Sequence, residues 1–215
     1  MELNWRKVRL LTLAFLLTLL SNAYCSSKAV QKREQNKEVD VSDSATPVKV
    51  KSLAWHCEDC TPGEQYILAE LQEHTKIVDP NALATIMGNI KQESKFIPNI
   101  CEGGARVNYE DCLTGGFGLI QWTTYNRYKN LGEFCNKYSC DPSSLEGQTR
   151  YMINEYNFQQ ILPEFEGNGQ TVKHYMVPAY KWLGWGIKGN RELYAHQYSK
   201  KLDHPFFYNM HTFYD

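Results

Sequence analysis

Behind Asp79-Pro80, Leu83, Ile86, Met87 and Ile90 recur at i, i+3, i+4 and i+7. That spacing lays one apolar stripe along a helix and commits this part of the chain to packing a helix into a core. Asp79 offers a capping side chain and Pro80 suits the first turn. Other segments repeat the pattern. Pro62-Gly63 opens a stretch with Tyr66, Ile67, Leu68 and Leu71, predicted helical to about Lys76. Thr124 to Lys137 reads as a further helix. Ser143 followed by Glu146 reads as a capping box, before a helix whose apolar face is Leu145, Met152, Ile153 and Tyr156. Thr171 caps a helix carrying Val172, Tyr175, Met176, Ala179 and Leu183. Asn190 caps a last one with Leu193, Tyr194, Tyr198 and Leu202. Residues 98–118 are rich in glycine, hold two cysteines, and read as a loop with a short hairpin. The expected fold is mainly α, an α+β domain with a minor β hairpin.

The amino-terminal residues have another character. Arg6, Lys7 and Arg9 precede an apolar run from Leu10 to Leu20, followed by Ser21-Asn22-Ala23. This is the anatomy of a signal peptide over residues 1–23. The run is shorter than the roughly 18 apolar residues that a spanning helix needs, so membrane contact is expected only in transit. An uncleaved anchor and a lipoprotein formed through Cys25 are the alternatives. Residues 24–52 are polar and lysine-rich and read as a flexible tether. Residues 53–215 form the domain, with 14 basic and 19 acidic residues, net −5. A nucleic-acid binder would show a basic excess instead.

Of the seven cysteines, six fall in the domain. That density suits an oxidising compartment. The simplest pairing joins sequence neighbours: Cys57 with Cys60, Cys101 with Cys112, and Cys135 with Cys140. Other connectivities remain open, and Cys25 is left over. Cys57-Glu58-Asp59-Cys60 lacks the βαβ context of a redox motif and a well-spaced second ligand pair for zinc. No metal and no cofactor is expected.

Glu93 is the candidate for chemistry. It follows Ile86 by seven positions and Ile90 by three, so it falls on the apolar face near the carboxyl end of its helix. Burial and the helix dipole both disfavour its charge, predicting a raised pKa. A carboxyl that keeps its proton can protonate a leaving glycosidic oxygen. The plainer reading is a helix-end glutamate in solvent or paired with Lys95. Downstream, Gly115, Gly116 and Gly118 would let backbone approach a bulky polysaccharide, and the Gln121 amide can both donate and accept. Tyr180, Trp182, Trp185 and Trp122 offer flat faces to sugar rings, whereas Tyr175 reads better as core. Arg106 and Arg127 could meet substrate carboxylates. Glu102, Glu110 and Asp111 are candidates for a second carboxylate, although plain loop surface suits them better.

The ordered pair of stretches, Gln92-Glu93-Ser94 with Phe96 and Pro98-Asn99, then Gly115-Gly116-Phe117-Gly118-Leu119-Ile120-Gln121-Trp122, resembles the lysozyme-like superfamily of lytic transglycosylases and goose-type lysozymes. There a Glu-Ser pair ends a core helix and a Gly-Leu-Met-Gln stretch forms the facing cleft wall. Here Ile120 stands at the methionine position. The closer resemblance is to the phage tail lysozyme family, over about residues 62–202, through Ala82 to Asn99, Gly116 to Trp122 and the Gln148 to Glu155 helix. It implies a lysozyme-like helical domain that cleaves the β-1,4 glycan strands of peptidoglycan. It implies Glu93 as general acid and Ser94, Gly118, Gln121, Trp122 and Tyr180 as substrate contacts. The signal peptide implies export, periplasmic or extracellular, whereas the resemblance implies virion association with a phage tail as partner; a tail component assembled in the cytoplasm would not need the signal, so an exported lysin is the variant reading. The competing reading is a noncatalytic glycan-binding or structural protein that keeps the cleft.

Overall fold

The computed structural model describes residues 54–113 and 115–202. The signal peptide (1–23), the tether (24–52) with Cys25, and the final aromatic stretch from residue 203 lie outside the described residues. Seven α-helices run through the described part: α1 (Pro62–His74), α2 (Pro80–Ser94), α3 (Tyr125–Tyr138), α4 (Leu145–Asn154), α5 (Tyr156–Phe165), α6 (Val172–Leu183) and α7 (Arg191–Lys201). The domain is mainly α, as its sequence predicts.

The predicted stripe on α2 is real but understates the burial. Every residue from Ala82 to Ile90 is buried, including Thr85 and Asn89. A helix buried on all sides must satisfy its polar groups locally. Thr85 Oγ1 donates to the Asn81 carbonyl at 2.6 Å, and Asn89 Nδ2 donates to the Thr85 carbonyl at 2.8 Å, while Asn89 Oδ1 has no partner among the described residues. Asp79 caps the helix, accepting from the Asn81 amide at 2.8 Å. Its other oxygen accepts from the Tyr175 hydroxyl at 2.9 Å, so Tyr175 is core as expected.

Helix α2 packs chiefly against α7 and next against α6. Gly88 makes the α7 contact close: a Cβ there would lie 2.7 Å from Ala195 Cα, and nearer still to its amide nitrogen. Helix α1 is tied to α7 through Glu64. This carboxylate belongs to a capping box with Thr61 and accepts from the Tyr198 hydroxyl. Burial pushes the Glu64 pKa up, but the hydrogen bonds from Tyr198 and Thr61, with the charge of Lys91, outweigh it and leave the value below the usual range.

Four local expectations are corrected. Ser144, not Ser143, caps α4, accepting from the Gly147 amide at 3.0 Å; Ser143 Oγ instead accepts from the Tyr109 amide at 2.7 Å. Tyr156 does not extend the apolar face of α4. That helix stops at Asn154, and Tyr156 is exposed at the start of α5. Leu193 also points outward, while Tyr198 and Leu202 are buried. The expected hairpin is reduced to isolated antiparallel bridges, Ile100 with Arg106, Cys101 with Phe117, and Phe117 with Trp122. The three predicted cysteine pairs lie at disulfide distance, with Cα separations of 5.3, 5.6 and 4.5 Å in chain order.

Candidate active site

Glu93 lies in the last turn of α2, where a carboxylate opposes the helix dipole. Arg191 is the first residue of α7, where a cation opposes the dipole in the other sense. The fold brings the two together: Arg191 Nη2 donates to Glu93 Oε1. Each charge offsets the other's unfavourable placement. The side chains are only 16% exposed for Glu93 and 6% for Arg191, so water screens the pair weakly.

Arg191 is itself held from three directions. Nη1 donates to the carbonyls of Ile187 and Lys188, both at 2.8 Å, and the guanidinium carbon lies 4.7 Å from the Trp185 ring centroid. Its Nε is buried with no hydrogen-bond partner among the described residues. The expectation of a carboxyl isolated on an apolar face, or paired with Lys95, is therefore corrected: the neighbour is Arg191. Beside it, Gln92 Oε1 accepts from the Asn190 amide at 2.9 Å, which docks the α6–α7 loop on the same helix end.

The second stretch singled out in the sequence meets this helix end. Ser94 Oγ donates to the Leu119 carbonyl at 2.8 Å and accepts from the Phe96 amide at 3.1 Å. Leu119 belongs to a closed turn, with Phe117 and Trp122 exchanging backbone hydrogen bonds of 3.0 and 3.3 Å. Gln148, fully buried on α4, clamps that turn. Its Oε1 accepts from the Leu119 amide at 2.8 Å, and its Nε2 donates to the Pro98 and Pro142 carbonyls at 2.6 and 2.7 Å.

Gly118 has φ +74°, and a Cβ there would sit 2.7 Å from Gln148 Cδ, so the close approach it permits is to that amide. Gln121 is half-buried. Its Nε2 donates to the Gly118 carbonyl at 3.0 Å, and its Oε1 is unengaged among the described residues. Lys95, Phe96 and Gln121 all take positive φ, between 53 and 63°. These strained residues flank the Ser94–Leu119 junction, and such strain is commonly concentrated at functional sites.

The aromatic candidates divide. Trp122 is 0% exposed and packs on Tyr151 at 5.4 Å between centroids; it is core, not an open sugar platform. Trp182 is also buried, its Nε1 donating to Glu155 at 3.3 Å. Tyr180 is 54% exposed and meets Trp185 edge to face at 5.2 Å, on the ring that Arg191 covers. Arg127 is committed to Glu155 through bonds of 2.5 and 2.8 Å and is not free for a substrate carboxylate. Arg106, Glu102, Glu110 and Asp111 are exposed on the loop before the turn. Cavities of about 810 Å³ beside Trp55 and Gln72, and about 500 Å³ beside Tyr109 and Tyr125, are not lined by Glu93.

Sequence reasoning missed Arg191 and Gln148 as parts of the site. A cation at the first position of a helix was the available signal for the former. A family model described as phage tail lysozyme matches residues 64–202, a span from α1 to just past α7. No curated protein matches the chain.

Proposed function

Because the chain belongs to the phage tail lysozyme family, we propose that it cleaves the β-1,4 glycan strands of peptidoglycan with Glu93 as general acid. Family membership supports the coarser part, a lysozyme-like function on peptidoglycan. The observation that carries the assignment of Glu93 is the hydrogen bond from Ser94 to Leu119, at 2.8 Å. It joins the end of α2 to the Phe117–Trp122 turn, so the two stretches of the sequence resemblance are bonded directly to each other.

Glu93 gives its proton to the glycosidic oxygen as the bond from the anomeric carbon breaks, and positive charge develops on the sugar ring. An oxygen nucleophile then attacks that carbon and returns a proton to the carboxylate. Water as nucleophile makes the enzyme a hydrolase; an internal sugar hydroxyl makes it a lytic transglycosylase. Gln121 and Tyr180 contact the glycan in this reading. Ser94, Gly118 and Trp122 are buried and shape the turn behind that surface rather than touching the glycan. The cysteine pairs are compatible with an exported or virion-associated setting, and the family supports a phage tail as partner.

The test is Glu93→Gln on purified peptidoglycan, with circular dichroism confirming the fold. Loss of a general acid costs roughly 100-fold or more in turnover. Unchanged clearing would instead make the domain a noncatalytic glycan-binding protein. Mass analysis of the wild-type products separates anhydro-muramic ends from reducing ends, and so transglycosylase from hydrolase.

A further inference from the structure

We propose that Arg191 is a positioning residue for Glu93: it orients the carboxyl group through Oε1 and balances the charge left there when the proton departs. The inference rests on Glu93 being the general acid. Its geometric basis is the number of constraints on one buried guanidinium. Two backbone carbonyls at 2.8 Å, the Trp185 ring at 4.7 Å and the Glu93 carboxylate together leave that group little freedom.

A group so fixed fixes its partner. With Oε1 engaged by Arg191, Oε2 has no hydrogen bond among the described residues and is the oxygen left to carry the transferable proton. As that proton moves to the glycosidic oxygen, negative charge grows on the carboxylate beside an immobile cation. An attraction that strengthens along the reaction lowers the barrier, because it favours the transition state over the bound substrate. The planar guanidinium reaches the carboxylate and both carbonyls at once. A lysine ammonium is a point charge on a flexible stem and cannot reproduce all three directions.

The inference also explains why α7 starts with a cation against its own dipole. Once the proton has left, the local cost is offset across the helix interface by the Glu93 carboxylate, itself at the disfavoured end of α2.

The experiment uses the full chain, with Arg191→Ala, Arg191→Lys and Glu93→Gln assayed side by side on purified peptidoglycan. Arg191→Ala is expected to lower kcat roughly 10- to 100-fold, with KM within about twofold of the wild type. Arg191→Lys should recover part of the loss. Guanidinium ion, added well below denaturing concentrations, should restore turnover to Arg191→Ala and do nothing for Glu93→Gln. If Glu93→Gln is inactive while both Arg191 variants keep the wild-type kcat, the inference is overturned and the acid assignment stands. Loss in Arg191→Ala without any rescue, by lysine or by guanidinium, also overturns it, as a merely structural role. A fully active Glu93→Gln removes the acid assignment itself. Should Arg191→Ala fail to fold, the kcat of Arg191→Lys decides: equal to wild type overturns the inference, and a kcat-specific fall supports it.

Discussion

Helix α2 meets α7 on one side and the Phe117–Trp122 turn at its end, and the two contacts are built differently. The α7 contact is close packing: Gly88 is set against the Ala195 backbone, amid residues that are almost all buried. The turn is held by directional bonds instead, from Ser94 to the Leu119 carbonyl and from the Leu119 amide to Gln148. Packing fixes how near two helices lie. Hydrogen bonds fix which atom faces which. The proposed reaction, which places one carboxyl group beside one polymer bond, needs both, and Glu93 sits where the two kinds of contact converge.

Breaking the packed contact should have the largest effect. Gly88→Ala puts a methyl group into backbone that cannot rotate away, and about 3 kcal/mol of stability should be lost, read as a lower urea midpoint. An unchanged midpoint would mean that α7 yields easily and the contact is not tight. Gln148→Leu attacks the bonded side. It leaves the Leu119 amide and the Pro98 and Pro142 carbonyls without their partner, at roughly 2 kcal/mol. Hydrogen exchange should then quicken at Leu119 while the amides of Ala84 to Ile90 stay protected. Equal loss of protection in both places would show that the two contacts are one cooperative unit. Ser94→Ala is the gentlest change, about 1 kcal/mol. It should lower turnover on peptidoglycan out of proportion to its small effect on melting.

The helices were legible where apolar spacing and a capping residue coincided, as at Asp79-Pro80 and Thr171. Helix α5 carried the same spacing in Phe158, Ile161, Leu162 and Phe165, but Pro163 masks it, and its start one residue past Glu155 merges it with α4. Ser143 and Ser144 are adjacent serines, and only the tertiary contact to Tyr109 assigns the first of them elsewhere. The site was half legible. Glu93, Ser94 and Gln121 could be picked out by local sequence. Arg191 lies 98 positions from its partner, and no local period reports a pairing made across two helix ends. Trp122 and Gly118 misled for the opposite reason: their residue types suit sugar contact, but here an indole fills the core and a missing side chain makes room for Gln148.

The all-round burial of α2 bears on how variants of this protein will sort. A span that cannot slide or roll transmits any disturbance along its length to its tip. Substitutions at Thr85 or Asn89, deep in the interior, should therefore surface in a screen for the proposed wall cleavage alongside changes at Glu93, and telling the two groups apart will require measuring the fold as well as the activity.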